Sequence, residues 1–227
     1  MGETRIILVR HGESLAQERR IVGGHNGCEG LSTLGVRQAE ALRDRLIDSG
    51  ELKEATALYS SVMARAVQTA QIIAPALGDL EVKQDCDFCE GHPSVDSDGM
   101  AWEEYDQRWP VPTDWSPEVA REPGGESWAQ MRDRVAAGLD RLAAAHDGET
   151  VVVACHGGVV LHSMFRWLQL DLVGNGRAWL DPVNSSITEW RMARNPYWVE
   201  AAGIQLVRFN DHGHLRGELL PRGRRTA

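Results

Sequence analysis

The chain has 227 residues, 24 Lys+Arg against 33 Asp+Glu, a formal net charge of −9, 42% hydrophobic and 25% charged residues, the profile of an ordinary globular protein. The acidic balance and the lack of a basic stripe exclude a nucleic-acid binder, and no apolar run approaches the roughly 20 residues of a membrane span. A small anionic substrate stays open, because a local cationic pocket overrides net charge.

This length fits one large domain, or one domain with an insertion, and buries a sizeable core without staples. Met1–Arg10 has no basic stretch followed by an apolar run and a cleavage site, so no secretory leader is expected. Four cysteines, Cys28, Cys86, Cys89 and Cys155, are too few for a disulfide scaffold. The expectation is a cytoplasmic protein with free thiols and no nucleic-acid or membrane partner, with a homodimer left open.

Arg5-Ile-Ile-Leu-Val-Arg10 is a β-rich apolar run that stops at polar residues and Gly12, which predicts a buried strand feeding a loop. Ser32-Thr33-Leu34-Gly35 opens a helical pattern (Val36, Ala39, Leu42, Leu46) that ends near Gly50. Ala57–Ser60 is a second strand candidate, Val62–Leu77 a helix that contains Pro75, and Glu81–Asp85 a third strand candidate. Residues 86–126 differ in character, with five prolines, many acidic residues and Trp102, Trp109 and Trp115. They are read as an insertion with short helices, since linkers carry few large aromatics. Ser127–His146 is an amphipathic helix, Thr150–Cys155 the clearest buried strand, Gly157–Leu170 a helix, and Ser186–Met192 and Ile204–Phe209 two late strands. Residues 1–215 are expected to form one domain, with 216–227 as a frayed, solvated basic tail. Strands alternating with helices predict a three-layer α/β/α sandwich around a mostly parallel mixed sheet.

Two predicted strands end alike, one in Arg10-His11-Gly12-Glu13-Ser14 and the other in Cys155-His156-Gly157-Gly158. Ligands of open α/β sheets sit beyond the carboxyl ends of strands, so both histidines are expected there, each beside a glycine that permits close approach of ligand and backbone. The helix opening at Gly157 offers free N–H groups to an anion. Arg10, with Arg65 at the start of the third-region helix, supplies planar forks for the same anion. An imidazole is a competent nucleophile toward phosphorus when its other nitrogen is held by an acceptor, which backbone near Gly12 would supply. Cationic neighbours favour its neutral form and offset charge in the transition state. The leaving oxygen needs a proton from a carboxyl; Glu90 and Asp87 both lie in the right stretch, and the sequence separates them poorly.

Leu8-Val-Arg-His-Gly-Glu-Ser14 resembles the signature of the histidine phosphatase superfamily, the phosphoglycerate mutase-like proteins. The resemblance extends to Leu31–Gly35 with Gln38-Ala39, Ser60-Ser61 with Arg65-Ala66 and Gln68–Ala70, Gly124–Ser127, and His156–Gly158, in the family's order. It implies a covalent phosphohistidine on His11, a phosphoryl group held by Arg10, Arg65 and His156 with Ser14, Gln17 and Gly157 nearby, Glu90 as proton donor and then base, and no metal or other cofactor. The family often has Asn at the position of Gln17. It also has a Gly-Trp-Glu-Gly pattern that is missing directly after Glu90, for which Asp98-Gly99 with Trp102-Glu103 is a displaced candidate.

The expected function is a phosphatase acting on a small phosphorylated metabolite. A phosphoglycerate mutase and a non-catalytic phospholigand binder are the alternatives. Residues 86–126 offer only Arg108 and Arg121, apart from each other, and His-Gly-Gly stands where the family's mutases have His-Gly-Asn; both favour the phosphatase. Cys86-x-x-Cys89 has no matching second pair and is read as idle thiols. His25, His92 and the other histidines show no metal-ligand spacing. Trp102, Trp109 and Trp115 are read either as an apolar wall for the substrate or as packing, and Asn184-Ser185-Ser186 as a turn.

Overall fold

The computed structural model describes residues 2–170, 180–194 and 202–220. Its elements in chain order are β1 (Thr4–Arg10), α1 (Leu15–Arg19), α2 (Thr33–Ser49), β2 (Ala55–Ser60), α3 (Ala64–Ile73), β3 (Val82–Gln84), α4 (Trp102–Arg108), α5 (Trp128–Ala145), β4 (Thr150–Cys155), α6 (Gly157–Leu168), β5 (Ile187–Arg194) and β6 (Ala202–Asp211). The six strands form one sheet in the order β3-β2-β4-β1-β5-β6. β3, β2, β4 and β1 run parallel to one another, while β5 and β6 are antiparallel additions at one side. This is the predicted mixed α/β sheet.

β1 and β4 occupy the middle of the sheet and read as unbroken apolar runs because both of their faces are covered. Their side chains alternate between two cores. Ile6, Leu8, Val151, Val153 and Cys155 meet Val135 and Leu139 of α5 and Val159 and Met164 of α6. Ile7, Val9, Val152 and Ala154 meet Leu42 and Leu46 of α2 and Ala70 and Ile73 of α3. Each buried aliphatic side chain contributes roughly 1.5–3 kcal/mol by leaving water.

Helix limits follow local chemistry. Ser32 caps α2 by accepting from Gly35 N at 3.1 Å, and Gly50, at φ 63°, ends it. Ser127 and Gln130 close a capping box on α5. α3 begins at Ala64 rather than Val62 and gives way to a 3-10 turn, Ala74–Leu77, at Pro75, whose missing N–H cannot continue the ladder. The expected frayed tail needs correction at its start. Gly217–Leu219 form a 3-10 turn, and Leu219 O accepts from Gln38 Nε2 of α2 at 2.9 Å; residues 221–227 lie outside the described residues. No helix among the described residues is long and apolar enough to cross a membrane.

The expected insertion is organised around a buried carboxylate. Glu122 accepts from Ser94 N (3.1 Å), Ser94 Oγ (2.7 Å) and Ser97 Oγ (2.7 Å). Arg121 lies 4.6 Å over the Tyr105 ring and donates to Trp109 O and Asp106, both at 2.6 Å. These bonds fold residues 94–122 into a compact cap.

Candidate active site

β1 and β4 pair in register, Arg10 opposite Cys155, so the residues that follow leave the sheet side by side. His11 N–H donates to Cys155 O at 2.9 Å, and the His11 and His156 ring centroids are 4.9 Å apart. β2 is the other neighbour of β4, with Ser60 opposite Ala154. Ser61 continues that ladder and meets His156 Nε2 through its Oγ at 2.7 Å. Arg65, in the first turn of α3 and only 4% exposed, donates through Nε to His11 Nε2 (3.2 Å) and His156 Nδ1 (3.3 Å) and through Nη1 to Gly23 O (2.8 Å).

These bonds fix the imidazole roles. His11 Nδ1 lies 2.6 Å from Gly12 O and must donate to it, which leaves the Nε2 lone pair toward Arg65. His156 by the same reasoning accepts at Nδ1 and donates from Nε2 to Ser61. Burial, then Arg65 and Arg10, hold His11 well below the usual imidazole pKa, against the upward pull of the Gly12 carbonyl. Burial, then Arg65, His11 and Arg10, do the same to His156. Two neutral imidazoles thus share one guanidinium.

The structure brings Arg10, His11, Ser14, Gln17, Arg65, Glu90 and Gly158 to one cavity of about 1160 Å³. The Arg10 guanidinium donates to Pro182 O and lies 3.8 Å from Asp181. Its Nε would be 3.5 Å from a Cβ placed on Gly157, beside the N-terminus of α6. Ser14 caps α1, and Gln17 Oε1 accepts from Ser14 N and Asn184 Nδ2, each at 3.1 Å. The greater length of Gln17 is used in that capping box.

Glu90 and Asp87, poorly separated in sequence, separate in space. Glu90 lines the cavity, and its Oε2 accepts from Gly158 N at 3.2 Å. Asp87 is turned away, paired with Arg141 at 2.7 Å on the outer face. Of the displaced candidate only Trp102 reaches the cavity: Asp98 accepts from Gly24 N (2.8 Å), Asn26 N (2.6 Å) and Gly27 N (2.9 Å) as a loop brace, and neither it nor Glu103 lines the cavity. Gly12 serves a different end from the one expected. A Cβ there would stand 2.3 Å from Gly35 O, so its smallness lets the loop sit on α2. A glycine that lines the cavity is Gly158, where a Cβ would stand 2.0 Å from Glu90 Oε1.

Sequence reasoning gave no role to Gly23, which holds Arg65, or to Arg134. The latter donates to Cys86 O, Asp87 O and Cys89 O at 2.9–3.1 Å and pairs with Glu126 at 2.7 Å. An arginine on an amphipathic helix reads as a solvated residue, so no signal marked it. Asn184, read as part of a turn, also donates to His11 O at 3.0 Å. Of the insertion's tryptophans, Trp102 and Trp115 line the cavity, together with Trp128, Met131, Leu161 and Phe165. Trp109 packs instead on Tyr105, 5.4 Å between centroids.

A mixed-sheet α/β sandwich that gathers two histidines and two arginines at a helix N-terminus defines a protein built to handle a phosphoryl group. The comparisons make the class specific: the chain belongs to the histidine phosphatase superfamily (branch 1), whose family model matches residues 6–202. It is 36% identical to a phosphoglycerate mutase-like protein 4 of Arabidopsis thaliana over 68% of this chain and 67% of the relative. It is 34% identical to a metal-independent phosphoserine phosphatase of the same plant over 75% of this chain and 71% of the relative. Among solved structures it is similar to a mycobacterial glucosyl-3-phosphoglycerate phosphatase in complex with vanadate, at TM-score 0.71 and 25% identity over 91% of this chain and 99% of that one.

Proposed function

We propose that the protein hydrolyses a small phosphomonoester by double displacement at His11. The observation that carries this reading is the state of His11 itself: neutral, with Nδ1 fixed on Gly12 O and the Nε2 lone pair aimed at the Arg65 guanidinium, beside His156. In the first step Nε2 attacks phosphorus, the bond from phosphorus to the ester oxygen breaks, and Glu90 gives its proton to the departing alcohol. In the second step water attacks the phosphohistidine, Glu90 takes the water's proton, the N–P bond breaks, and inorganic phosphate leaves with His11 neutral again. Arg10, Arg65 and the α6 N-terminus balance the charge on the equatorial oxygens. A bound dianion raises the proton affinity of His156 Nδ1, and the Nε2–H donation to the Ser61 hydroxyl is the same in the neutral and the protonated ring.

The rest of the cavity favours hydrolysis over a mutase reaction. Beyond Arg10 and Arg65 its arginines, among the described residues, are Arg20 and Arg121, and Arg121 is taken up by Asp106, Trp109 O and the Tyr105 ring. A mutase needs a second anion site for the far end of its substrate. Here that end faces Trp102, Trp115, Trp128 and Phe165, which suits an organic group with apolar surface. Four free cysteines suit a reducing, cytoplasmic setting. The test is turnover of p-nitrophenyl phosphate with and without added Mg²⁺. Equal rates that vanish in His11→Ala are expected. Phosphate binding without turnover would support a phospholigand binder, and transfer that depends on a bisphosphate primer would support a mutase.

A further inference from the structure

The single Cys86-x-x-Cys89 pair gains in the fold the partners that it lacks in sequence. His25, from the loop after α1, and His92, from the loop after Glu90, meet the two thiols, and one donor atom from each of the four side chains lies within 4.8 Å of every other. Cys86 Sγ is 2.8 Å from Cys89 Sγ, 3.5 Å from His92 Nε2 and 4.0 Å from His25 Nε2, and the two imidazole centroids are 5.0 Å apart. A tetrahedral zinc with arms of about 2.3 Å to sulfur and about 2.0 Å to nitrogen spaces its ligands about 3.3–3.8 Å apart. The two sulfur-to-nitrogen separations, 3.5 and 4.0 Å, lie in that range or about 0.2 Å beyond it, while the thiol pair, at 2.8 Å, would open by about 1 Å to reach the roughly 3.8 Å of two zinc-bound sulfurs.

We propose that Cys86, Cys89, His25 and His92 form a closed Cys₂His₂ zinc site that ties the proton-donor loop to the loop after α1. Three independent features support a built site. The ligand-bearing loops are held from behind: three carbonyls of residues 86–89 accept from Arg134, and the backbone on both sides of His25 donates to Asp98. His92 presents Nε2 to the thiol, while its Nδ1 faces Glu126 Oε2 at 4.0 Å, the outer carboxylate that commonly orients a ligating imidazole. Cys89 is fully buried while His25 is exposed, which gives the ion both a dry side and an entry path.

The donor set of two sulfurs and two imidazoles is that of structural zinc, with no position left for water. The ion therefore supplies no nucleophile, and the chemistry at His11 proceeds without it. Binding forms two Zn–S and two Zn–N bonds and releases the two thiol protons to solvent. Its effect is positional. Glu90 lies between two ligands, Cys89 and His92, and His25 lies two residues beyond Gly23, whose carbonyl holds Arg65.

The experiment is a zinc titration of the reduced, metal-stripped full chain against a chromophoric chelator, with cobalt in parallel as a spectroscopic probe. The expected result is one zinc per chain, thiolate-to-cobalt charge-transfer bands with tetrahedral ligand-field bands, and at least about 100-fold weaker zinc binding in Cys86→Ser and in His25→Ala, more than the loss of an outer-sphere partner causes. His25→Ala changes an exposed side chain, so it remains informative where a cysteine variant fails to fold. No zinc uptake by the reduced protein, cobalt without thiolate bands, or His25→Ala and Cys86→Ser binding as tightly as the parent would each overturn the site. These readouts need no turnover, so they stand apart from the fate of the phosphatase reading.

Discussion

The two halves of the candidate site are built differently. The phosphate half, His11, His156, Ser61 and Arg65, hangs from the ends of three adjacent parallel strands and the first turn of a helix, and every one of those side chains is buried. The leaving-group half, Glu90 with Trp102, Trp115 and Trp128, comes from loops, a seven-residue helix and a helix end, and its tryptophans are 38–42% exposed. Strand register fixes atoms to fractions of an ångström, as a reaction at phosphorus requires. Loops held by side-chain bonds to Glu122, Asp98 and Arg134 tolerate change. On the proposed function, the chemistry would reside in the sheet and the choice of substrate in the cap.

That contrast orders the effects of substitution. His11→Ala should lower kcat by at least about 10⁴-fold, since it removes the nucleophile that forms the covalent intermediate, with the circular dichroism spectrum unchanged. Arg65→Ala should cost about 10³-fold in kcat/KM, because it removes a cation from the transferring group and the shared partner of both imidazoles. Arg65→Lys should recover little, lacking a donor that reaches both rings and Gly23 O together. In the other half, Glu90→Gln should slow the phosphorylation step, read as single-turnover release of the alcohol, about 10²–10³-fold with alkyl phosphates and under about 10-fold with p-nitrophenyl phosphate, whose leaving group needs little protonation. Equal losses on both substrates would erase the distinction drawn between the halves, and Asp87→Asn should leave both rates unchanged. Gly158→Ala should reproduce a weaker form of the Glu90 pattern, about 10-fold, because its Cβ would displace Glu90 Oε1 and Met131 Cε. The smallest effect concerns pH. The depressed pKa of His11 and His156, and of His162 and His214 at about 4, means that the unfolded chain takes up protons below about pH 6.5 that the folded chain refuses. The melting temperature should therefore be flat above pH 7 and fall between about pH 6.5 and 4, and an NMR titration should keep His11 neutral below the pH at which a free imidazole protonates.

How much of this was legible in the sequence divides along the same line. The apolar runs before His11 and His156 announced buried strands, and paired strand ends placed the two histidines together. Arg65 was legible as a helix-start arginine after a strand. The choice between Glu90 and Asp87 was not, because it depends on Asp87, in the 3-10 turn Cys86–Phe88, meeting Arg141 while Glu90, in the loop beyond that turn, meets the start of α6, a matter of packing. Gly12 misled in its reason: its smallness answers to Gly35, which lies far along the chain. His25 and the Cys86–His92 segment share no sequence spacing, so their meeting exists only in three dimensions.

The central claim is that His11 Nε2 becomes phosphorylated. Rapid acid-free quenching of Glu90→Gln during turnover of p-nitrophenyl phosphate, followed by peptide mapping, tests it most directly, since that variant should release the nitrophenolate yet hydrolyse the intermediate slowly. One base-stable, acid-labile phosphoryl group on the peptide carrying His11 is the predicted result. A phosphoryl group on any other side chain, or full release of nitrophenolate with none on the protein, would contradict it.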